Sequence, residues 1–261
     1  KYFANKRIQL FGAGEMAFFR EQSVARRKAV IETMVAKRIP CVVVSRSLAP
    51  TPEMIDVLEQ AGVPLFRTPL SSKAFTTEVT VLLEERFAPR TSLHGTLLEI
   101  RGVGTLIRGA SGAGKSEAAL ALIERGHSLV ADDLVKVKLL SDHTPIGFCD
   151  PLSRGFMECR GIGIINIEKL FGNRFVRIEK KIDLVVTLIE EAVNAEPDRT
   201  GLDRKYFQML GFDVPQMEIP VRTGRDIARL IEVAAMVQAA RQFGYDSADD
   251  LNEKLLRKMN H

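Results

Sequence analysis

The stretch GASGAGKS, residues 109–116, decides the fold of this chain. It fits the pattern G-x-x-x-x-G-K-[ST], a phosphate-binding loop that joins a strand to a helix. The glycines let successive backbone N–H groups converge on phosphate oxygens at the positive end of the helix that follows. In such a loop Lys115 reaches the β- and γ-phosphates of a nucleotide, and the Ser116 hydroxyl binds Mg²⁺. The sequence therefore predicts a nucleotide site here.

The residues around this loop support the same prediction. Leu106 and Ile107 indicate a strand before it, and residues 117–125 (EAALALIER) indicate a helix after it, which Gly126 ends. The residues predicted to contact the nucleotide are Gly109, Ala110, Ser111, Gly112, Ala113, Gly114, Lys115 and Ser116.

Composition excludes several classes of protein. The chain has 261 residues, of which 46% are hydrophobic and 27% charged, so it can bury a core and is not disordered. The formal net charge is +4, with basic residues scattered and not interleaved with aromatic ones. This favours an ordinary solvated face over a nucleic-acid surface.

Location and completeness can also be predicted. No apolar run approaches the length of a membrane span, so no membrane partner is expected. Three cysteines without ligand-like spacing predict a reducing, cytoplasmic setting with neither a disulfide framework nor a zinc site. Because the chain begins with Lys1 and not Met, we expect that part of the natural chain precedes it.

Two domains are predicted, over residues 1–88 and 92–261. The first shows strands at residues 7–11, 41–44 and 63–66 alternating with helical runs, one of them extending through Lys37, which indicates a mostly parallel α/β sheet. Residues 88–91 form the predicted linker, since Pro89 prevents a helix from continuing. The second domain opens with a predicted hairpin over residues 95–108, turning around residues 102–104.

A second glycine pattern lies near the start of the chain. Residues 12–17 (GAGEMA) follow a strand and fit a dinucleotide-binding fingerprint. The next strand ends at Ser45-Arg46, where an acid would be needed to bind the ribose hydroxyls. A plain turn is therefore favoured over a dinucleotide site.

Several charged residues could act beside the phosphate loop. Asp132-Asp133 ends a predicted strand, where an acid can face a γ-phosphate and its metal ion, although a solvated turn is the plain alternative. Glu158 and Arg160, between apolar residues and glycines, could bind Mg²⁺ and phosphate or form a structural ion pair with each other.

The roles of two further groups of residues cannot be decided from residue chemistry alone. Arg222 and Arg225 flank a turn before a long helix and could bind phosphate through forked guanidinium groups. His94, at the start of the first strand after the linker, is by itself more typical of a packed or solvated side chain.

Taken together, these residues resemble the HPr kinase/phosphorylase family. The resemblance rests on GKSEAALALIERGHSLVADD after the loop, on MECRGIGIIN at residues 157–166, and on PVRTGR with IEVAAM towards the C-terminus. In the first domain RIQLFG, VVVSR and PLFRTPLSS carry it, so it spans essentially the whole chain.

The resemblance implies a bifunctional enzyme. It would phosphorylate a serine of the phosphocarrier protein HPr with ATP or pyrophosphate, and remove that phosphate with inorganic phosphate to give pyrophosphate. It implies a small N-terminal α/β domain, a C-terminal P-loop kinase domain resembling phosphoenolpyruvate carboxykinase, and a cytoplasmic homo-oligomer, expected to be a hexamer. The implied role would be the regulation of carbon metabolism.

The resemblance also implies residue roles. The catalytic residues would be His94, Lys115, Asp133 and Arg199. Ser116 and Glu158 would bind Mg²⁺, residues 157–166 would serve both reactions, and residues 220–225 would serve mainly dephosphorylation. The chain departs from the family pattern at Ala110 and Ala113, where larger residues are usual, and at Arg108, where an apolar residue or threonine is usual.

Two alternative functions stay open at this point. One is a different P-loop kinase or ATPase that acts on a small molecule. The other is a nucleotide-gated regulatory module that binds a partner without transferring phosphate. The position of Asp133 favours transfer, because a pure sensor does not need a base beside the γ-phosphate.

Overall fold

The structure is a computed structural model that describes residues 3–190, 203–222 and 224–259. The chain divides into two compact units, Lys1–Phe87 and Ala88–His261. Each unit has its own hydrophobic core and its own sheets. The predicted two-domain α/β architecture is confirmed.

The first unit is a three-stranded parallel sheet with four helices. Its elements are β1 (Gln9–Phe11), α1 (Ala13–Glu21), α2 (Val24–Ala36), β2 (Val42–Val44), α3 (Pro52–Gln60), β3 (Leu65–Arg67) and α4 (Ser72–Phe87). The order β1-β2-β3 places the run of three buried valines in the centre. Such residues suit a strand that is buried on both faces.

The helical run predicted to extend through Lys37 is two helices. Backbone geometry becomes extended at Gln22 and Ser23, and the Ser23 hydroxyl accepts a hydrogen bond from the Arg26 N–H at 3.3 Å. A serine in this position caps a new helix, which a count of apolar residues cannot detect. The break lets Met16 and Ile31, on separate helices, enter the same core.

The described residues of the second unit form three sheets. Its strands are β4 (Arg90–His94), β5 (Thr96–Ile100), β6 (Val103–Gly109), β7 (Ser128–Ala131), β8 (Leu134–Leu139), β9 (Pro145–Phe148), β10 (Phe156–Cys159), β11 (Gly163–Asn166), β12 (Glu179–Lys181), β13 (Leu184–Glu190), β14 (Lys205–Met209) and β15 (Phe212–Val221). Its helices are α5 (Lys115–Glu124), α6 (Ile167–Phe171), α7 (Ile227–Gln242) and α8 (Ser247–Met259).

The main sheet has six strands in the order β14-β15-β13-β6-β5-β7. Strand β13 is parallel to β6 and to β15, while β5 is antiparallel to both β6 and β7. Strands β6, β7, β13 and β15 therefore all end at one edge of the sheet, where β5 begins. We call this the carboxyl edge. Ligands of open α/β sheets bind at such an edge.

The predicted hairpin is present, with its turn one residue earlier than expected. Ile100 pairs with Val103, so Arg101 and Gly102 form the two-residue turn. Their φ angles are 48° and 85°, which matches the turn type that follows the twist of a hairpin.

The other two sheets flank the main one. The four-stranded sheet has the order β12-β9-β8-β4, and β10 pairs with β11 in a separate antiparallel hairpin. Strand β4 begins at Arg90, within the predicted linker, and pairs with β8 through its whole length. His94 therefore ends a strand and does not begin one, which corrects its predicted place.

Each face of the main sheet is buried by a different layer. Apolar residues of α5 and α7 cover one face, around Leu98, Ile107 and Val186. On the opposite face, Leu97 and Leu106 of the main sheet join Val135 and Val137 of β8 in a second core. Among the residues described, no helix is long and apolar enough to cross a membrane.

Candidate active site

The phosphate loop lies between β6 and α5 at the carboxyl edge, as its sequence predicts. Gly112 and Gly114 have φ angles of 87° and 81°, a backbone region that side chains disfavour. Gly109 is required for a different reason: a Cβ there would lie 2.9 Å from the carbonyl oxygen of Leu188 on β13. The loop is thus both curled and pressed against the neighbouring parallel strand.

Lys115 folds back over its own loop. Its ammonium group donates hydrogen bonds to the carbonyl oxygens of Gly109, at 3.0 Å, and Ala110, at 2.9 Å. Ser116 follows it in the first turn of α5, which starts with the hydrogen bond from the Ala118 N–H to the Gly114 oxygen. The lysine and the hydroxyl therefore stand where the helix directs its N–H groups.

Asp132, directly after β7, is tied into the fold. One carboxylate oxygen accepts a hydrogen bond from the Thr96 hydroxyl at 2.7 Å, and the other accepts one from the Glu158 N–H at 3.2 Å. Burial raises the pKa of Asp132, although these two hydrogen bonds oppose the rise. Repulsion from Asp133 adds a smaller increase to this pKa. The carboxylate links strand β5, strand β7 and the β10–β11 hairpin.

Asp133 has the opposite character. It adopts a φ of 63°, rare for a residue with a side chain, and its carbonyl oxygen accepts the Gly95 N–H at 3.0 Å. Its carboxylate is 86% exposed and lies 4.0 Å from Nδ1 of His94, whose side chain is 84% exposed. The backbone turn therefore separates two adjacent aspartates into one structural and one open carboxylate, and the open one faces a histidine.

The hairpin that carries Glu158 and Arg160 approaches the loop from the other side. Glu158 pairs with Ile164 between β10 and β11, and its side chain is exposed. The guanidinium group of Arg160 donates to the Ser111 hydroxyl at 3.3 Å. In the described part of the chain, Glu158 and Arg160 form no ion pair with each other. Arg160 instead contacts the phosphate loop.

Two further predicted groups follow strands that end at the carboxyl edge. Arg222 comes directly after β15, and the Arg225 N–H donates to the Arg222 carbonyl oxygen at 3.2 Å in a tight turn. Topology alone brings this turn to the same edge as the phosphate loop. Arg199, which follows β13 in the chain, lies outside the described residues.

The sequence pattern missed two residues of this region. Thr96 was not singled out, although its hydroxyl orients Asp132. Arg108 was noted only as a departure from a family pattern; its guanidinium group stacks on the ring of Phe207, 4.4 Å from the ring centroid. A threonine at the start of a strand that is mostly apolar is the signal that could have identified the first.

The glycine pattern of the first unit does not leave a helix N-terminus free to bind a phosphate. The Glu15 carboxylate accepts a hydrogen bond from the Gly12 N–H at 3.1 Å, and so lies at the N-terminus of α1. In a dinucleotide site the pyrophosphate takes that place. The helix N-terminus is thus already neutralised by the chain's own acid.

The fold and this site define a class of protein: a two-domain α/β protein whose C-terminal domain is a kinase domain with a phosphate-binding loop. Comparisons with known proteins agree. Residues 85–255 match the family model described as HPr Serine kinase C-terminal domain, and residues 1–83 match the one described as HPr Serine kinase N terminus.

Relatives and a solved structure extend the match. An HPr kinase/phosphorylase of Leptospira biflexa is 41% identical over 256 residues, covering 97% of this chain and 80% of the relative. That of Caldicellulosiruptor bescii is 39% identical over 260 residues, covering 100% and 84%. The HPr(Ser) kinase/phosphatase structure from Coxiella burnetii is similar with a TM-score of 0.56 and 34% identity, over 62% of this chain and 99% of that one.

The chain therefore belongs to the HPr kinase/phosphorylase family, which confirms the resemblance read from its motifs. A likeness of the C-terminal domain to phosphoenolpyruvate carboxykinase stays a prediction.

Proposed function

We propose that this protein transfers a phosphoryl group to a serine of HPr from ATP or pyrophosphate, and removes it again by phosphorolysis. The observation that carries the proposal is the meeting of two features at one sheet edge. The phosphate loop ends β6, and the exposed Asp133–His94 pair lies where β7 ends and β5 begins. A phosphoryl donor in the loop would thus lie beside a carboxylate that is open to a protein substrate.

The residues present fit a magnesium ion. Mg²⁺ prefers oxygen ligands, takes one or two from the protein and completes its shell with water and substrate phosphates. Ser116 and Glu158 provide a hydroxyl and a carboxylate of this kind, and no cluster of three or more metal-binding acids, histidines or cysteines exists among the residues described. We assign the ion to these two residues. When bound, it would offset negative charge on the transferring phosphate.

In the kinase direction Asp133 acts as the general base. It accepts the proton of the target serine as the serine oxygen bonds to the γ-phosphorus and the bond to the bridging oxygen of the leaving diphosphate breaks. Lys115 leaves the carbonyl oxygens of Gly109 and Ala110 to hold the β- and γ-phosphates. His94, 4.0 Å from Asp133, orients that carboxylate towards the serine.

In the reverse direction the same groups exchange roles. An oxygen of inorganic phosphate attacks the phosphorus of phosphoserine, the phosphorus–serine bond breaks, and protonated Asp133 returns a proton to the serine oxygen. The product in the loop is pyrophosphate. Two groups supply positive charge for the attacking inorganic phosphate. One is Arg160, which contacts Ser111, and the other is the turn of Arg222 and Arg225. Arg199 is assigned to stabilise the transition state, from the family pattern alone.

Family membership supports proposals for the partner and the assembly. HPr is the protein substrate that we propose, with regulation of carbon metabolism as the role, and a cytoplasmic homohexamer as the working assembly. No nucleic-acid or membrane partner is proposed.

One incubation tests the function. The protein is mixed with HPr, Mg²⁺ and ATP labelled in the γ-phosphate, with a Lys115→Met variant as control. We expect labelled phosphoserine on HPr with the original protein and none with the variant. Consumption of ATP without label on HPr would instead identify an ATPase or a regulatory module.

A further inference from the structure

Arg108 lies at the carboxyl edge and has none of the roles assigned above. It occupies the last position of β6 before Gly109, opposite Thr187 of the parallel neighbour β13. Its side chain lies on the sheet face that carries Leu106 and β8, because residues two apart in a strand share a face. Arg108 thus directly precedes the phosphate loop, with its side chain on the sheet face that β8 covers.

Contacts of Arg108 place its stem against the backbone that holds the catalytic pair. Its Cγ lies 3.3 Å from the position that a Cβ of Gly95 would take. Gly95 follows His94 directly, and its N–H donates to the carbonyl oxygen of Asp133. Arg108 is therefore a packing neighbour of the segment that positions both exposed side chains.

Within the described residues, the guanidinium group stacks on an aromatic ring and forms no hydrogen bond. It lies on the Phe207 ring, and its Nε is buried without a hydrogen-bond partner in the part of the chain that the structure describes. No carboxylate among those residues forms an ion pair with it. An unpaired buried donor on a cation destabilises a fold, so Arg108, the one charged residue of β6, calls for a reason other than stability.

We propose that Arg108 binds the phosphoryl group of phosphoserine on HPr, a role that rests on the function proposed above. A phosphoserine carries about two negative charges near neutral pH, and it must approach the carboxyl group of Asp133. The side chain of Arg108 packs against Gly95, whose N–H holds the Asp133 backbone, and its positive charge would offset part of that repulsion. The planar guanidinium group, fixed on an aromatic ring, can present two N–H donors to phosphate oxygens. Unphosphorylated serine has no such need.

The test compares the two forms of the substrate. For Arg108→Met, we expect the KM for phosphorylated HPr to rise about 10- to 100-fold, the loss typical of a charged hydrogen bond. The KM for unphosphorylated HPr and that for inorganic phosphate should stay within about twofold, since neither contact is removed. Arg108→Lys, which keeps the charge but not the planar donor pair, should recover part of the loss.

A matched control lies elsewhere in the same domain. Arg174 stacks on Phe175 at 4.6 Å from the ring centroid, so Arg174→Met removes a similar stack away from the carboxyl edge. It should leave all three KM values unchanged. Thermal unfolding of both variants measures any structural cost, and if Arg108→Met does not fold, Arg108→Lys carries the same comparison.

The outcomes separate the inference from the proposed function. If the original protein transfers no phosphate to or from HPr, the proposed function fails. If it is active but Arg108→Met raises the KM of both HPr forms equally, or of neither, Arg108 serves only packing and the inference is wrong.

Discussion

Replacing Asp133 by Asn should separate catalysis from stability. The Asp133 side chain is 86% exposed, and its nearest charged neighbour, His94, is 4.0 Å away. Removing one charge at such a surface position changes the free energy of unfolding by no more than about 0.5 kcal/mol. Loss of a general base reduces turnover by about 100- to 10,000-fold. We therefore expect near-native thermal unfolding and nucleotide affinity, with both transfer directions lost.

Asp132→Asn is the matched control one residue away. It keeps an oxygen for the Thr96 hydroxyl but turns an amide NH₂ group towards the Glu158 N–H, replacing a hydrogen bond by two opposed donors. That change costs about 1–3 kcal/mol. Relief of a buried charge opposes it, because burial raises the pKa of Asp132.

The raised pKa of Asp132 also makes the stability of the fold depend on pH. A carboxyl group whose pKa is higher in the folded than in the unfolded state stabilises the fold at low pH, and loses that contribution as pH rises through the folded pKa. The difference in stability between the original protein and Asp132→Asn should thus shift in favour of the original protein as pH falls from 7 towards 4. Urea unfolding at several pH values measures it.

The assay for Asp133→Asn is single-turnover transfer in each direction at saturating substrate, beside thermal unfolding and nucleotide titration. Saturation ensures that the measured loss lies in the chemical step and not in binding. Turnover above a tenth of the original in either direction, with a folded variant, would refute the assignment of Asp133 as the base.

Two further predictions concern the loop and the first domain. Gly109→Ala should lower nucleotide affinity at least about tenfold, because the added Cβ would displace the loop from the Leu188 oxygen. Gly14→Ala is the control, since a Cβ there meets nothing within 4 Å, and it should leave the affinity unchanged. Calorimetric titration with ATP compares the two variants, and equal affinities would contradict the loop geometry. The Arg27 guanidinium, hydrogen-bonded to Glu53, lowers the pKa of Glu53 to about 2, so this carboxylate stabilises the first domain above about pH 4.5 and ceases to do so as pH falls towards 2. Glu53→Gln should begin to unfold in acid at a higher pH than the original protein, and its stability should lack the pH dependence that comes from ionisation of Glu53. An acid transition identical to that of the original protein would contradict this prediction.

Sequence reasoning located the elements whose signals are local. The glycine pattern predicted the phosphate loop of the second domain, and the alternation of strand and helix patterns predicted the α/β fold of the first. Both signals depend only on neighbouring residues. The split between α1 and α2 was missed because a single cap, Ser23, decides it against a continuous helical composition. The predicted place of His94 was wrong because β4 is defined by its pairing with β8, in which His94 lies opposite Leu134, 40 residues further along the chain.

The site was only partly accessible to the same reasoning. Asp132 and Asp133 differ in burial for two reasons. Asp133 adopts a left-handed backbone conformation, and Thr96, on another strand, holds the Asp132 carboxylate. Likewise Arg160 was paired with Glu158 in one interpretation because they are close in sequence. Its contact with Ser111 arises only when the β10–β11 hairpin meets the loop.

Phosphoryl transfer in both directions at the phosphate loop is the core of the proposed function. Its most direct test is the fate of the phosphoryl group when HPr labelled at phosphoserine is incubated with this protein, Mg²⁺ and excess inorganic phosphate. We expect the label to leave HPr and to appear in pyrophosphate, one molecule for each phosphoserine lost. Label recovered as free inorganic phosphate would show hydrolysis by water, and label remaining on HPr would show that the loop works in one direction only.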